Sequence, residues 1–246
     1  MLEAFDKYVS NYDLNDEKIK LKYNHSIRVM EQMVKYAKLL DFNDKDVEIA
    51  RIIGLLHDIG RFEQLKVYNT FVDNKSVDHA DYSVEQLFKK NEIKLFCDDE
   101  EIYPLLEFCI KNHNKHHIEK ILDERVLKFA KLIRDVDKLD VMYLFGILGE
   151  LNQKINRDLP ITEEVIQFVV RHETVDRNVV KNYNDRLVVQ LAFVFDINND
   201  IILKEYKEYL EAYYKQLDDD GRLKEIYDEI IKYIDERILN YERNRN

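Results

Sequence analysis

Glycine and proline are scarce: the chain has five and two of them in 246 residues, where ordinary usage puts roughly 12% of positions in these two types. Sandwiches, barrels and doubly wound sheets draw on many tight turns, so the shortage argues against all of them. Long apolar runs are missing too. The cleanest stretches, 187–195 and 141–149, fall well short of the ~18 residues that a membrane helix needs. No basic segment followed by an apolar one and a small-residue cleavage site is present, which points to a cytoplasmic protein without a membrane partner. Positive charge is in deficit as well. The formal net charge is −11, whereas a nucleic-acid polymer or an anionic membrane calls for a basic surface. A small anion held locally does not. The only two cysteines, Cys97 and Cys109, form neither a CxxC pair nor a disulfide framework. They read as core thiols in a reducing compartment.

What the chain does have is helical periodicity nearly everywhere. Apolar positions recur at three and four, and strict alternation over a strand's length is hard to find. The fold class is therefore all-α, read as a single domain over 1–246, a length able to bury a real core. Helices are expected at about 2–11, 16–40 and 44–57, the second with Val29, Met33, Tyr36 and Leu40 on one face. Gly60 is expected to stop the third, and 61–75, lacking a clear period, reads as a long loop. Ser76 opens a helix to about 90, and further helices follow at about 98–113, 123–148, 187–194, 201–217 and 223–241. Pro160 and Thr162 restart the pattern after a quiet stretch near 153–160. There is no repeat and no flexible tether.

The sharpest local feature is Ile52-Ile53-Gly54-Leu55-Leu56-His57-Asp58-Ile59-Gly60-Arg61. A histidine and a carboxylate closing an apolar helix are costly to bury unless something compensates them. A divalent cation would; so would a structural His–Asp hydrogen bond, and this segment alone leaves both readings open. Other helices carry comparable groups. His25 shares a face with Val29 and Met33, His79 lies in the first turn after the expected loop, His113 ends a helix behind Cys109, and Asp137 follows Ile133 by one turn. Each has a plain structural reading alone. Together they bring imidazole and carboxylate, without thiolate, toward apolar faces, a set suited to Mn, Fe, Zn, Co or Ni.

The order His25, His57-Asp58, then Asp137 in Ile133-Arg134-Asp135-Val136-Asp137-Lys138-Leu139-Asp140 resembles the HD-domain superfamily of metal-dependent phosphohydrolases. His79 in His79-Ala80-Asp81-Tyr82-Ser83 and His113 in Ile110-Lys111-Asn112-His113-Asn114 resemble additions found in its two-metal branch. The likeness covers about 20–145 and leaves a C-terminal helical extension of about 160–242 outside the signature. It implies one or two divalent ions (Mn, Fe, Zn, Co, Ni or Mg). His25, His57, Asp58 and Asp137 would hold one, and Asp58 would bridge to a second held by His79 and His113. Asp135 and Asp140 would support these ligands from behind. The implied reaction is attack of a metal-activated water on a phosphate ester or anhydride of a small molecule such as a nucleotide. Arg61 stands where family members place a cation that meets the phosphate. Some nucleotidase members instead carry an acidic general acid there, so Arg61 departs from that mechanism. Lys111, Lys115 and Lys120 face only Glu119 in sequence, a local basic island able to draw in an anion. The alternatives are a metal- or nucleotide-binding signalling module without turnover and a di-iron oxygenase. A homodimer stays open.

Overall fold

Polar caps start the first helical hairpin. The Asp16 carboxylate accepts the Lys18 amide at 2.7 Å and begins α2 (Glu17–Leu39), after a short α1 (Leu2–Val9). The Asn43 side chain accepts the Asp46 amide at 3.0 Å and begins α3 (Asp44–Leu56). Such caps satisfy amides that a helix start leaves without partners. The structure, a computed structural model, describes residues 1–149 and 153–245, and no strand occurs among them. It divides into two compact units, Met1–Val136 and Asp137–Asn246.

The first unit holds α1 to α3, α4 (Gly60–Tyr68), α5 (His79–Val84), which widens into a π turn over Glu85–Lys89, α6 (Tyr103–Asn112), and most of α7 (Glu124–Tyr143). Val29, Met33 and Tyr36 of α2, Ile53 and Leu56 of α3, and Ala130 and Ile133 of α7 are all buried. Burying a side chain of this size contributes about 1.5–3 kcal/mol. Two glycines set how closely these helices approach. At Gly54 a Cβ would lie 2.8 Å from Met30 Cα and 2.9 Å from Met33 Cγ, so α2 runs against α3 at a distance that a side chain would forbid. At Gly60 a Cβ would lie 2.5 Å from the Ser83 nitrogen, and the Gly60 amide donates to Ser83 Oγ at 2.9 Å. Gly60 thus begins α4 instead of ending a helix, and its smallness admits α5.

The expected loop at 61–75 is helical up to Tyr68. Its period is hidden because one buried position of α4 is Gln64, fully enclosed beside Phe62 and Leu65. Asn69, at φ +53°, ends α4 in the left-handed conformation that asparagine tolerates. The next helix starts at His79 and not at Ser76, because Asp78 accepts the Ala80 and Asp81 amides.

The second unit holds the end of α7, a π turn over Leu144–Leu148, α8 (Glu163–Val170), α9 (Tyr183–Leu191), α10 (Leu203–Gln216) and α11 (Lys224–Arg245). A Cβ on Gly146 would fall 2.1 Å from the Tyr209 oxygen, so α10 packs directly on that turn. The buried Asp185 carboxylate accepts from Thr162 N and Oγ1 and from the Lys181 and Asn182 amides, tying the links that flank α8 and α9. His172 takes a structural place, its Nε2 at 2.8 Å from Glu229 Oε1.

Candidate metal centre

The ends of two helices each present an imidazole. His57 closes α3 and its Nδ1 donates to the Gly54 carbonyl at 2.8 Å. His113 closes α6 and its Nδ1 donates to the Ile110 carbonyl at 2.7 Å. A carbonyl oxygen only accepts, so each Nδ1 carries a proton and each ring turns its Nε2 outward. His79, the first residue of α5, is held in the same sense, with Nδ1 at 2.6 Å from Asp73 Oδ2. His25 projects from the middle of α2. All four rings are buried.

These nitrogens converge on Asp58, itself 2% exposed. His25 Nε2 and His57 Nε2 lie 3.2 Å apart, and Asp58 Oδ2 is 3.5 Å from the first and 3.9 Å from the second. His79 Nε2 and His113 Nε2 lie 3.0 Å apart, with Asp58 Oδ1 at 3.5 Å and 3.6 Å. Each carboxylate oxygen therefore faces one imidazole pair, and the two trios are the groups of convergent donors found among the described residues. With both Nδ1 protons committed elsewhere, His79 and His113 are left turning Nε2 toward Nε2. Asp58 Oδ1, buried, has no hydrogen-bond partner among the described residues. Both observations call for a positive charge in the middle of the trio. The spacing agrees: two donors each ~2.1 Å from a shared cation are separated by about 3.0–3.6 Å at angles of 90–120°. The residues fit a divalent metal.

Electrostatics point the same way. Burial by itself pushes the Asp58 carboxyl upward, but the Lys22 ammonium and His57 outweigh it and hold the group well below the usual carboxylate range. Burial drives His79 down to about 4, so its ring is neutral and able to ligate at pH 7. Asp73 is held at about 2, where the bond to His79 and the charge of Arg61 outweigh burial.

The family model of the HD domain matches residues 23–142. The chain carries an HD domain. No curated protein and no solved structure matches the chain. Within the HD domain the structure brings together His25, His57, Asp58, His79 and His113. Asp137 sits half-buried on α7, at the start of the second unit, and its role as a ligand rests on the resemblance. Asp135 and Asp140 are fully buried.

Arg61 is placed beside the trios, its Nε 3.7 Å from Asp58 Oδ1. Its Nη1 is spent on Gln64 Oε1, the Phe71 carbonyl and Asp73 Oδ1, all at 2.7–2.8 Å, so it anchors the segment after α4. Its Nε is buried without a hydrogen-bond partner and faces the site. Three residues escaped the sequence reading. Asp73 orients His79 but lies six positions away in an aperiodic stretch, with no local signal. Gln64, donating to Asp73 Oδ1, Ser76 Oγ and the Val77 carbonyl, looks like an ordinary surface residue in sequence. Lys22, whose Nζ is 2.6 Å from Asp58 Oδ2, was findable: it precedes His25 by one helical turn and shares its face. Two of the three lysines of the basic island near His113 are paired with acids. Lys111 pairs with Glu119 at 2.7 Å, and Lys115 with Asp78 and Asp81, each at 2.9 Å, two acids that the local sequence window did not include.

Proposed function

We propose that the HD domain hydrolyses a phosphate ester or anhydride of a small molecule, with nucleotides the class to test first. The observation that carries this reading is the two-faced Asp58 carboxylate, with one oxygen toward each buried imidazole pair and one of them unbonded. Divalent cations held by His25, His57 and Asp58 and by Asp58, His79 and His113 would supply Lewis acidity, bringing the pKa of a water toward 7 and offsetting phosphate charge. The chain's own residues do the rest. Helix-end carbonyls and Asp73 fix the ring tautomers, so the ligands need no reorganisation. The free Nε edge of Arg61 meets a phosphate oxygen, while its anchored edge keeps it in place. Asp137 is assigned to the first metal from the resemblance.

The test is a panel of nucleotides and simple phosphate esters, run on protein reconstituted with Mn, Fe, Zn, Co, Ni or Mg. Turnover that disappears with metal content in Asp58→Ala supports the reading. A redox-active iron pair with no phosphatase activity across the panel, or tight nucleotide binding with no turnover, overturns it in favour of an oxygenase or a binding module. Asp137→Asn in the same metal assay tests the sixth ligand.

A further inference from the structure

We infer that Lys22 is a tethered counter-ion that a metal must displace from Asp58, and that its freed ammonium then takes a phosphate oxygen of the substrate. The second half rests on the phosphohydrolase reading; the first does not. Lys22 and His25 rise from one face of α2, a turn apart, and both address Asp58 Oδ2, at 2.6 Å and 3.5 Å. That oxygen is also the one turned toward His57. A cation bound by the His25 trio and the ammonium therefore claim the same atom.

Two features separate Lys22 from the neighbouring Arg61. Its hydrogen-bond partner among the described residues is Asp58, whereas Arg61 is held by three acceptors, one on α4 and two on the segment that follows it. Its four-carbon stem lets the charge swing several ångströms without movement of α2. The Phe71 ring, 5.8 Å from Lys22 Nζ and 5.6 Å from the Arg61 guanidinium carbon, lies beside both cations and gives the displaced ammonium an aromatic face to rest against.

The charges give the reason. A carboxylate this buried is costly without a partner, and Lys22 supplies one. A divalent ion on Oδ2 removes the attraction and repels the ammonium. A phosphate brings negative charge back within its reach. Lys22 thus weakens metal binding and strengthens binding of the anion.

The experiment is a Mn2+ titration of the full chain against a competing chelator, for the wild type, Lys22→Met, Lys22→Gln and Lys22→Arg. Met and Gln are expected to bind Mn2+ at least tenfold more tightly, and Arg within about threefold of the wild type. Calorimetry with inorganic phosphate on the Mn-loaded proteins is expected to show at least tenfold weaker binding for Met and Gln. Circular dichroism checks the fold, and Gln, which keeps most of the stem, carries the comparison if Met does not fold. Unchanged or weaker Mn2+ affinity in a folded variant overturns the counter-ion role, even if the enzyme turns over phosphates. Tighter Mn2+ with unchanged phosphate affinity overturns the second half. Absence of any hydrolysis leaves the metal titration fully interpretable.

Discussion

Asp73 is the residue on which the second imidazole pair depends, although it touches none of the convergent donor atoms. Its Oδ2 fixes the His79 proton on Nδ1, and its Oδ1 is held by Arg61 and Gln64. Carboxylates behind ligand imidazoles are typically worth about 10–100-fold in metal affinity. Asp73→Asn is accordingly expected to weaken metal binding by that factor with little loss of fold, measured by chelator competition. His79 adds a pH dependence. Its folded value, about 4, lies below the ordinary 6.5, so the unfolded chain binds the proton more readily. The stability it contributes is complete above pH ~6.5 and is lost as pH falls toward 4; the shift corresponds to about 3 kcal/mol. Urea midpoints of the metal-free protein are expected to drop between pH 7 and 5, and much less so in His79→Gln. Legibility at this scale followed chemistry and not distance. Histidines and the His-Asp pair announced themselves by type and by apolar context. Asp73 and Gln64 did not, because acid and amide in a polar stretch are what any surface offers.

At the scale of elements, the site is made by helices that approach more closely than side chains normally allow. Gly54 lets α2 lie on α3, which carries His25 to His57, and Gly60 lets α5 lie against α4, which carries His79 to Asp58. Gly54→Ala forces a Cβ within 3 Å of Met30 Cα, and overpacking of this kind costs about 1–3 kcal/mol. A lower urea midpoint together with weaker metal binding is expected, since the displaced helix bears His25. Wild-type metal affinity in that variant would contradict the packing argument. The two glycines stood out in a chain that uses so few, yet their reason was not visible in one dimension. Sequence marked where the backbone makes room; only the packing shows that the room is for another helix. The aperiodic stretch after Gly60 is the complementary case, where buried Gln64 erased the period of α4.

For the whole molecule, the all-helical class followed from composition and periodicity, and no helix among the described residues is long and apolar enough to cross a membrane. The division at Val136 and Asp137 was not legible, because it falls inside α7, where the helical pattern runs on without a break. Five of the convergent donors come from four elements of the first unit, so a ligand that binds them all selects its folded state. At free metal a hundredfold above Kd the gain is about 2.7 kcal/mol. The corresponding rise in Tm is roughly 5–10 °C, read by calorimetry with and without chelator. A further consequence follows from the single carboxylate that serves both trios. Loading one of them changes the charge and the free lone pairs left for the other, so the two binding events are thermodynamically reciprocal: each alters the other's constant by the same factor. If both trios take a metal, a titration is expected to trace one coupled isotherm, and at limiting metal the preparation would be a distribution of empty, singly and doubly loaded species whose proportions are set by that factor.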